Sequence, residues 1–236
     1  NARREDAPGT PPPGGFPPVY SDLGYLLVGA LLERVAARPL DELVEDEVGR
    51  PLGLGFGSAR RLAARDPRFS VTVAPTEEQA WRGGAIRGAV HDENAFALSG
   101  LGLAGHAGLF GRAADVLGLG VALLDGLAGR RDTWLRPETL WELVRPRRGG
   151  TLRAGFDSPS AEGSSAGPAF GPDAFGHLGF TGTSLWCDPA AGVVVTLLTN
   201  RVHPTRENIA IRGVRPLIHG ALHALARTWA GRSAPG

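Results

Sequence analysis

Between Phe175 and Pro204 the chain reads FGHLGFTGTSLWCDPAAGVVVTLLTNRVHP, and few stretches leave a fold so little choice. Val193 to Leu198 is a largely β-branched apolar run, the pattern of a buried strand. Asp188-Pro189-Ala190-Ala191-Gly192 ahead of it is turn chemistry. Strand side chains alternate faces, so one side of Thr181 to Cys187 can pack inward while the other borders a cleft. The leading edge, His177-Leu178-Gly179-Phe180-Thr181-Gly182-Thr183, is polar and glycine-spaced. Two apolar strands joined by a turn are therefore expected, and the rest of the chain must cover them.

The cover is helical. Leu23, Leu27, Ala30, Leu31 and Val35 recur at helix spacing behind Ser21 or Asp22, either of which can cap. That helix should stop near Arg38-Pro39. Asp41 to Val48 predicts a second short helix, and residues 55–90 read as irregular with one extended piece at Ser70 to Ala74. His91-Asp92-Glu93-Asn94-Ala95 opens a short helix, and Gly100 to Gly111 is a glycine-rich loop. Arg112 to Leu127 is amphipathic through Val116, Leu119, Leu123 and Leu127, and Pro137 to Val144 starts on a proline suited to a first turn. Leu152 to Phe156 reads as a strand and Asp157 to Asp173 as a loop. Arg206 to Trp229 predicts a closing helix with Ile209, Val214, Leu217, Ile218, Leu222 and Leu225 on one stripe. Helices first, then an antiparallel hairpin, then a covering helix argues an α+β fold rather than alternating βαβ units. Residues 1–18 read as a loop or arm, 19–150 as a mainly helical lobe, and 151–236 as sheet strands with a C-terminal helix.

Composition excludes several chemistries. All 25 basic residues are Arg, because the chain has no Lys. A Walker lysine, a Schiff-base lysine, a Ser-x-x-Lys nucleophile and a Lys-Thr-Gly strand are therefore absent from it. A net charge of +1 makes no electrostatic case for nucleic acid. No apolar run reaches the roughly 18–20 residues of a bilayer span. Cys187 stands alone, so no intrachain disulfide is expected. There is no Met, so an N-terminal part, with any leader or anchor, is expected upstream of Asn1. No cofactor and no metal is expected.

Three motifs fail on context. Gly100-Leu-Gly102-Leu-Ala-Gly105 has the letters of a dinucleotide fingerprint but neither a preceding strand nor a βαβ unit. Gly163-Ser164-Ser165-Ala166-Gly167 has the letters of a nucleophile elbow but sits between loop sequences. His219 and His223 share a helix face without an accompanying acid at ligand spacing, so a packing or surface role is expected. His91, Asp92, Glu93 and His106 form a denser polar group. It reads either as a helix cap with a solvated loop or as a substrate pocket or metal site.

One pair survives. Tyr20-Ser21-Asp22 leads a helix, and His177-Leu178-Gly179 edges a strand. In this order the two triplets resemble the second and third motifs, Tyr-x-Asn and Lys/His-Thr-Gly, of the serine β-lactamase and penicillin-binding-protein superfamily. The likeness is nearest to class C enzymes and related esterases. PLDELVEDEVGRPLGLGFG, HDENAFALSGLGLAGHAGLFGRAADVLGLGVALLDG and the opening hairpin are similar to stretches of one subgroup. That subgroup includes amidases that strip peptide from muramyl residues.

The resemblance implies a β-lactamase-like antiparallel sheet flanked by helices, with a helical lobe opposite, here without the part that bears the nucleophile. It implies an acyl-enzyme serine hydrolase acting on a small-molecule or muropeptide substrate. An N-acetylmuramoyl-L-alanine amidase comes first; an esterase, a D-alanyl peptidase or a non-catalytic peptidoglycan-fragment binder are the alternatives. Tyr20 would be the general base, which asks for a pKa roughly 3 units under its reference of about 10. His177 would stabilise a phenolate if charged, or hold the Tyr20 hydroxyl or a substrate carboxylate if neutral. Asp22 stands where the family has Asn and opposes a phenolate. The Phe180 N–H matches an oxyanion-hole donor. Ser21, Gly179, Thr181, Gly182, His106 and His91 are the expected substrate contacts. Leu178 replaces the family Thr and removes a hydroxyl that contacts substrate carboxylates. Without a nucleophile the chain is expected to be inactive alone.

Overall fold

A computed structural model describes residue 16 and residues 18–130 and 134–233. Most of the arm expected over residues 1–18 lies outside the described residues. The chain begins with helix α1 (Asp22–Ala36), α2 (Leu40–Val44), a π-helical turn at Glu45–Gly49 and the single turn α3 (Arg50–Leu52). Strand β1 (Gly57–Ser58), α4 (Ala59–Arg65), α5 (Phe69–Thr72), β2 (Glu78–Gln79) and β3 (Gly84–Ala85) follow. Then come α6 (Glu93–Ser99), β4 (Leu109–Phe110), α7 (Ala113–Leu127) and α8 (Pro137–Val144). The chain closes with β5 (Phe175–Leu178), β6 (Ser184–Asp188), β7 (Val193–Leu197) and α9 (Ile211–Ser233).

The opening stretch makes three strands instead of two. β5, β6 and β7 form one antiparallel sheet in that order, with His177 opposite Leu185 and Leu178 opposite Ser184. The extra turn is set by two glycines. Gly182 has φ +111, a backbone region that side chains avoid, and a Cβ there would meet Thr199 Oγ1 at 2.2 Å. A Cβ on Gly179 would meet Thr183 Oγ1 at 2.0 Å. The chain must therefore reverse between Leu178 and Ser184. The strand expected at Leu152 to Phe156 is reduced to bridges, from Leu152 to Asp157 and from Asp157 to Gly176 at the β5 edge.

The sheet is covered on both faces. Leu123 and Leu124 of α7 and Leu140 and Val144 of α8 pack on Phe175 and Cys187, with Leu119, Leu127, Leu185 and Val194 around them. On the other face Trp186, Val193 and Val195 pack with Ala166, Phe170 and Ala174, and Ala226 of α9 joins them. Alternation along β6 splits these sets, so Trp186 and Cys187 point to opposite layers.

Helix α9 corrects the expected stripe. Leu217 is 74% exposed, and Ile209, Val214, Leu222 and Leu225 are exposed too. The buried face is instead Arg215, His219 and His223. The reason is that β6 offers these polar groups partners. His219 Nδ1 donates to Ser165 O at 2.7 Å, and its Nε2 accepts from Ser184 Oγ at 2.8 Å. His223 Nε2 meets Asp188 Oδ2 at 3.1 Å. Burial pushes the His219 imidazole down, so it is held neutral between one donor and one acceptor.

The glycine-rich loop is explained by a crossing. A Cβ on Gly105 would lie 1.9 Å from Tyr25 O, so the loop can pass over α1 only at a glycine. The Gly163–Gly167 segment is irregular, and its Ser165 offers only a carbonyl to His219.

Candidate active site

The ends of β5 and α9, with the start of α1, enclose a cavity of about 360 Å³. Tyr20 stands at its mouth one residue before the α1 cap. Ser21 is that cap, accepting from Gly24 N–H at 3.3 Å, and Asp22 is in the first turn. The cap therefore fixes the direction in which Tyr20 leaves the helix.

Tyr20 and His177 face each other across the opening, with ring centroids 6.0 Å apart and planes inclined by 28°. His177 Nδ1 lies 2.8 Å from Leu178 O, and a carbonyl can only accept, so Nδ1 carries the proton. In the neutral ring Nε2 is then an acceptor. The Tyr20 hydroxyl is pushed up from its ordinary value, by burial first and then by its hydrogen bond to the Asp22 carboxylate. As it stands here, Tyr20 is a hydrogen-bond donor.

Gly179 and Phe180 line the same cavity. The turn is closed by Gly179 N–H to Thr183 O at 2.8 Å and Gly182 N–H to Gly179 O at 3.1 Å. Among the described residues the Phe180 N–H has no acceptor. The Phe180 ring is packed from two sides: His91 stacks on it at 5.7 Å, and the Arg201 guanidinium lies 4.4 Å from its centroid. Thr181 and Gly182 belong to this turn but do not line the cavity.

His91 and His106 do not line the cavity, although His91 stacks on Phe180, which does. His91 Nε2 is 3.1 Å from Glu77 Oε2 in a buried cluster. Arg206 binds Glu77 and Glu93 in that cluster and holds Glu77 well below the usual carboxylate range. His106 Nε2 is 2.9 Å from Asp92 Oδ1. Burial works against the Asp92 carboxylate, but hydrogen bonds from Ala95 N–H and His106 outweigh it and keep Asp92 below its ordinary value. Asp92 also caps α6 through Ala95 N–H at 2.8 Å. Both histidines thus support loops that carry the site.

The remaining wall was not legible in the motifs. Asp157, Arg201, Arg212 and Arg215 line the cavity together with Leu152, Ile209 and Ile211. They come from three separate segments, and no spacing rule joins them. Among the described residues no group of His, Cys, Asp and Glu could hold a metal ion. Among the same residues, no helix is long and apolar enough to cross a membrane.

Comparisons with known proteins bear on the fold and the family. Against the "N-acetylmuramyl-L-alanine amidase" of Bacillus subtilis (strain 168) the chain is 32% identical over 198 residues, which is 78% of this chain and 44% of that protein. Against the "Putative D-alanyl-D-alanine carboxypeptidase" of Escherichia coli (strain K12) it is 31% identical over 199 residues, 78% of this chain and 45% of that protein. The chain thus spans about half the length of the curated relatives it matches. Among solved structures, a beta-lactamase of Mycobacterium bovis superposes with a TM-score of 0.58 at 17% identity, covering 88% of this chain and 64% of that one. A penicillin-binding protein homolog of Caulobacter crescentus gives 0.56 at 20% identity, covering 85% and 56%. These two show the fold, α+β with an antiparallel sheet between helical layers. A profile of the beta-lactamase family matches residues 5–217, most of the sequence, and the chain belongs to that family.

Proposed function

We propose that this chain forms the Tyr20–His177 side of a serine hydrolase that cleaves an amide of cell-wall muropeptides through an acyl-enzyme. The observation that carries the reading is the meeting of Tyr20 and His177 at 6.0 Å beside a cavity that Phe180 also lines, its N–H without an acceptor among the described residues. The family is one of serine hydrolases, and the matched relatives bear the names of a muramyl amidase and a D-alanyl carboxypeptidase. Amide hydrolysis at the muramyl-L-alanine bond comes first. A D-alanyl peptidase or an esterase uses the same groups.

The roles follow from the chemistry. Tyr20 acts in its ionised form: the phenolate takes the proton of an attacking serine hydroxyl. The tetrahedral intermediate then breaks the C–N bond, and the leaving amine takes that proton from Tyr20. This leaves an acyl-enzyme that water hydrolyses. The carbonyl oxygen becomes an oxyanion, which the Phe180 N–H stabilises where charge develops. His177 Nε2 accepts a hydrogen bond from Tyr20 or from the substrate. Gly179 lets the substrate lie against the strand end. The chain has no Lys and hence no Ser-x-x-Lys, so the nucleophile of this proposal lies outside these 236 residues.

The test is covalent labelling of the longest natural product that carries this chain, with a fluorophosphonate and a penicillin-type probe. One label per molecule, on a serine, is the expected result. Absence of labelling by either probe, in protein that melts cooperatively, would sink the hydrolase. It would favour the non-catalytic muropeptide binder, for which the raised Tyr20 hydroxyl is the supporting observation.

A further inference from the structure

The buried polar cluster beside the site has no part in the chemistry described so far. Glu77 and His91 are each only 6% exposed. Arg206, through its side-chain hydrogen bonds, holds the Glu77 carboxyl well below the usual carboxylate range. Glu77 is therefore ionised and can only accept, so His91 Nε2, 3.1 Å from Glu77 Oε2, carries the proton. Gln79 Nε2 also donates to Glu77 Oε2, at 2.8 Å, and Arg206 spans Glu77 and Glu93. The edge of the His91 ring is thus held by a network that joins the run around β2, the start of α6 and the turn after β7.

The face of that ring is spent on Phe180. The two rings stack with centroids 5.7 Å apart and planes inclined by 18°. Phe180 is 57% exposed and lies in the turn bounded by Gly179 and Gly182. An exposed residue in such a turn keeps its place only through contacts of this kind. Its own carbonyl accepts from Arg201 Nε at 2.8 Å. The Gly179 carbonyl accepts from Gly182 N–H at 3.1 Å and from Arg215 Nη2 at 3.0 Å. In a planar trans peptide the Phe180 N–H points opposite to the Gly179 carbonyl, so bonds to that carbonyl aim the N–H away from them. The N–H is left without an acceptor among the described residues, in a residue that lines the cavity. We propose that His91 is a positioning residue: held by Glu77 and Arg206, it clamps the Phe180 ring and so keeps the Phe180 N–H turned to the cavity as the oxyanion donor. The hydrolase reading supplies what the N–H does; the stack supplies why it stays in place.

The test uses the protein that carries this chain, uniformly labelled with nitrogen-15. Two quantities are read: the order parameter of the residue-180 amide and the single-turnover acylation by a chromogenic penicillin. The wild-type amide should be as rigid as that of Trp186 in β6, about 0.85. His91→Ala should bring it below about 0.6 with Trp186 unchanged, and His91→Phe, which keeps a ring to stack, should restore it. The acylation rate constant should fall about 10–100-fold in His91→Ala while the dissociation constant of the probe stays within about twofold, and His91→Phe should recover most of the rate. If His91→Ala does not fold, Phe180→Leu decides, because it removes an exposed ring. It should loosen the same amide and slow acylation about tenfold. An amide equally rigid in these variants, or a loosened amide with the wild-type acylation rate, overturns the proposal. A wild type that is never acylated sinks the hydrolase reading instead, and the order parameters then decide whether His91 holds the N–H.

Discussion

At the scale of single residues, the site turns on what Tyr20 can do. A phenol pushed above its reference value is almost wholly protonated at pH 7. If Tyr20 is the base, acylation by the protein that carries this chain should rise about tenfold per pH unit between pH 7 and 9, and Tyr20→Phe should lower it by about 10²–10⁴-fold. A flat profile, or a Tyr20→Phe enzyme as fast as the parent, would remove Tyr20 from that role. Stopped-flow acylation with a chromogenic penicillin measures both. Tyr20 and His177 were readable in the sequence because each sits at the end of a regular element with a flanking motif. Arg201, Arg212 and Arg215 were not. An arginine in a turn (Arg201) or on a helix (Arg212, Arg215) looks the same in the sequence whether it faces water or a strand end, and only the packing decides which.

Among the elements, α9 departs furthest from its pattern. Its apolar residues suggested an ordinary amphipathic face, yet the sheet selects two histidines and an arginine, because Ser184, Ser165 and Asp188 satisfy the histidines and the Gly179 and Thr183 carbonyls hold the arginine. Satisfied polar groups can be buried at little net cost; unsatisfied ones cannot. A consequence is pH sensitivity. The His219 pKa is depressed in the folded state, so the unfolded chain takes up its proton first as pH falls. Its contribution is complete above the unfolded value of about 6.5 and is lost as pH drops below it. The melting temperature should therefore fall between pH 7 and 5, and His219→Gln should melt lower at pH 7 but show a shallower fall. A variant that keeps the wild-type slope would assign the effect elsewhere. The hairpin shows the opposite lesson. Its β-branched run and its turn were readable, but the break at Gly179–Thr183 needed the close contacts of Gly179 and Gly182, which periodicity does not report.

For the molecule as a whole, two apolar surfaces stand out. On α1, Leu27 is 64% and Val35 77% exposed, and on α9 Leu217 and Trp229 are exposed as well. The stripe of α1 is the apolar one expected, and among the described residues it is exposed. Contiguous exposed apolar surface of this kind binds dyes and promotes association. The 236-residue chain should enhance anilinonaphthalene sulfonate fluorescence severalfold without denaturant, and Leu27→Glu with Leu217→Glu should reduce that signal while leaving the far-ultraviolet dichroism unchanged. No enhancement would mean these faces are covered. The core itself is compact enough to be tested by truncation. Leu140 is fully buried between α7 and α8, and Leu140→Ala should cost about 2–5 kcal/mol in urea unfolding.

Cys187 sits at the centre of that core, between α7 and the sheet, with its thiol pushed up to about 12 by burial. It is also the only sulfur in the chain, since methionine is absent. A disulfide reagent therefore has one target, and it can reach that target only when α7 lifts from β6. The rate at which the yellow thiolate product appears would time that lifting, giving a clock for the opening of the layer interface with no label to install.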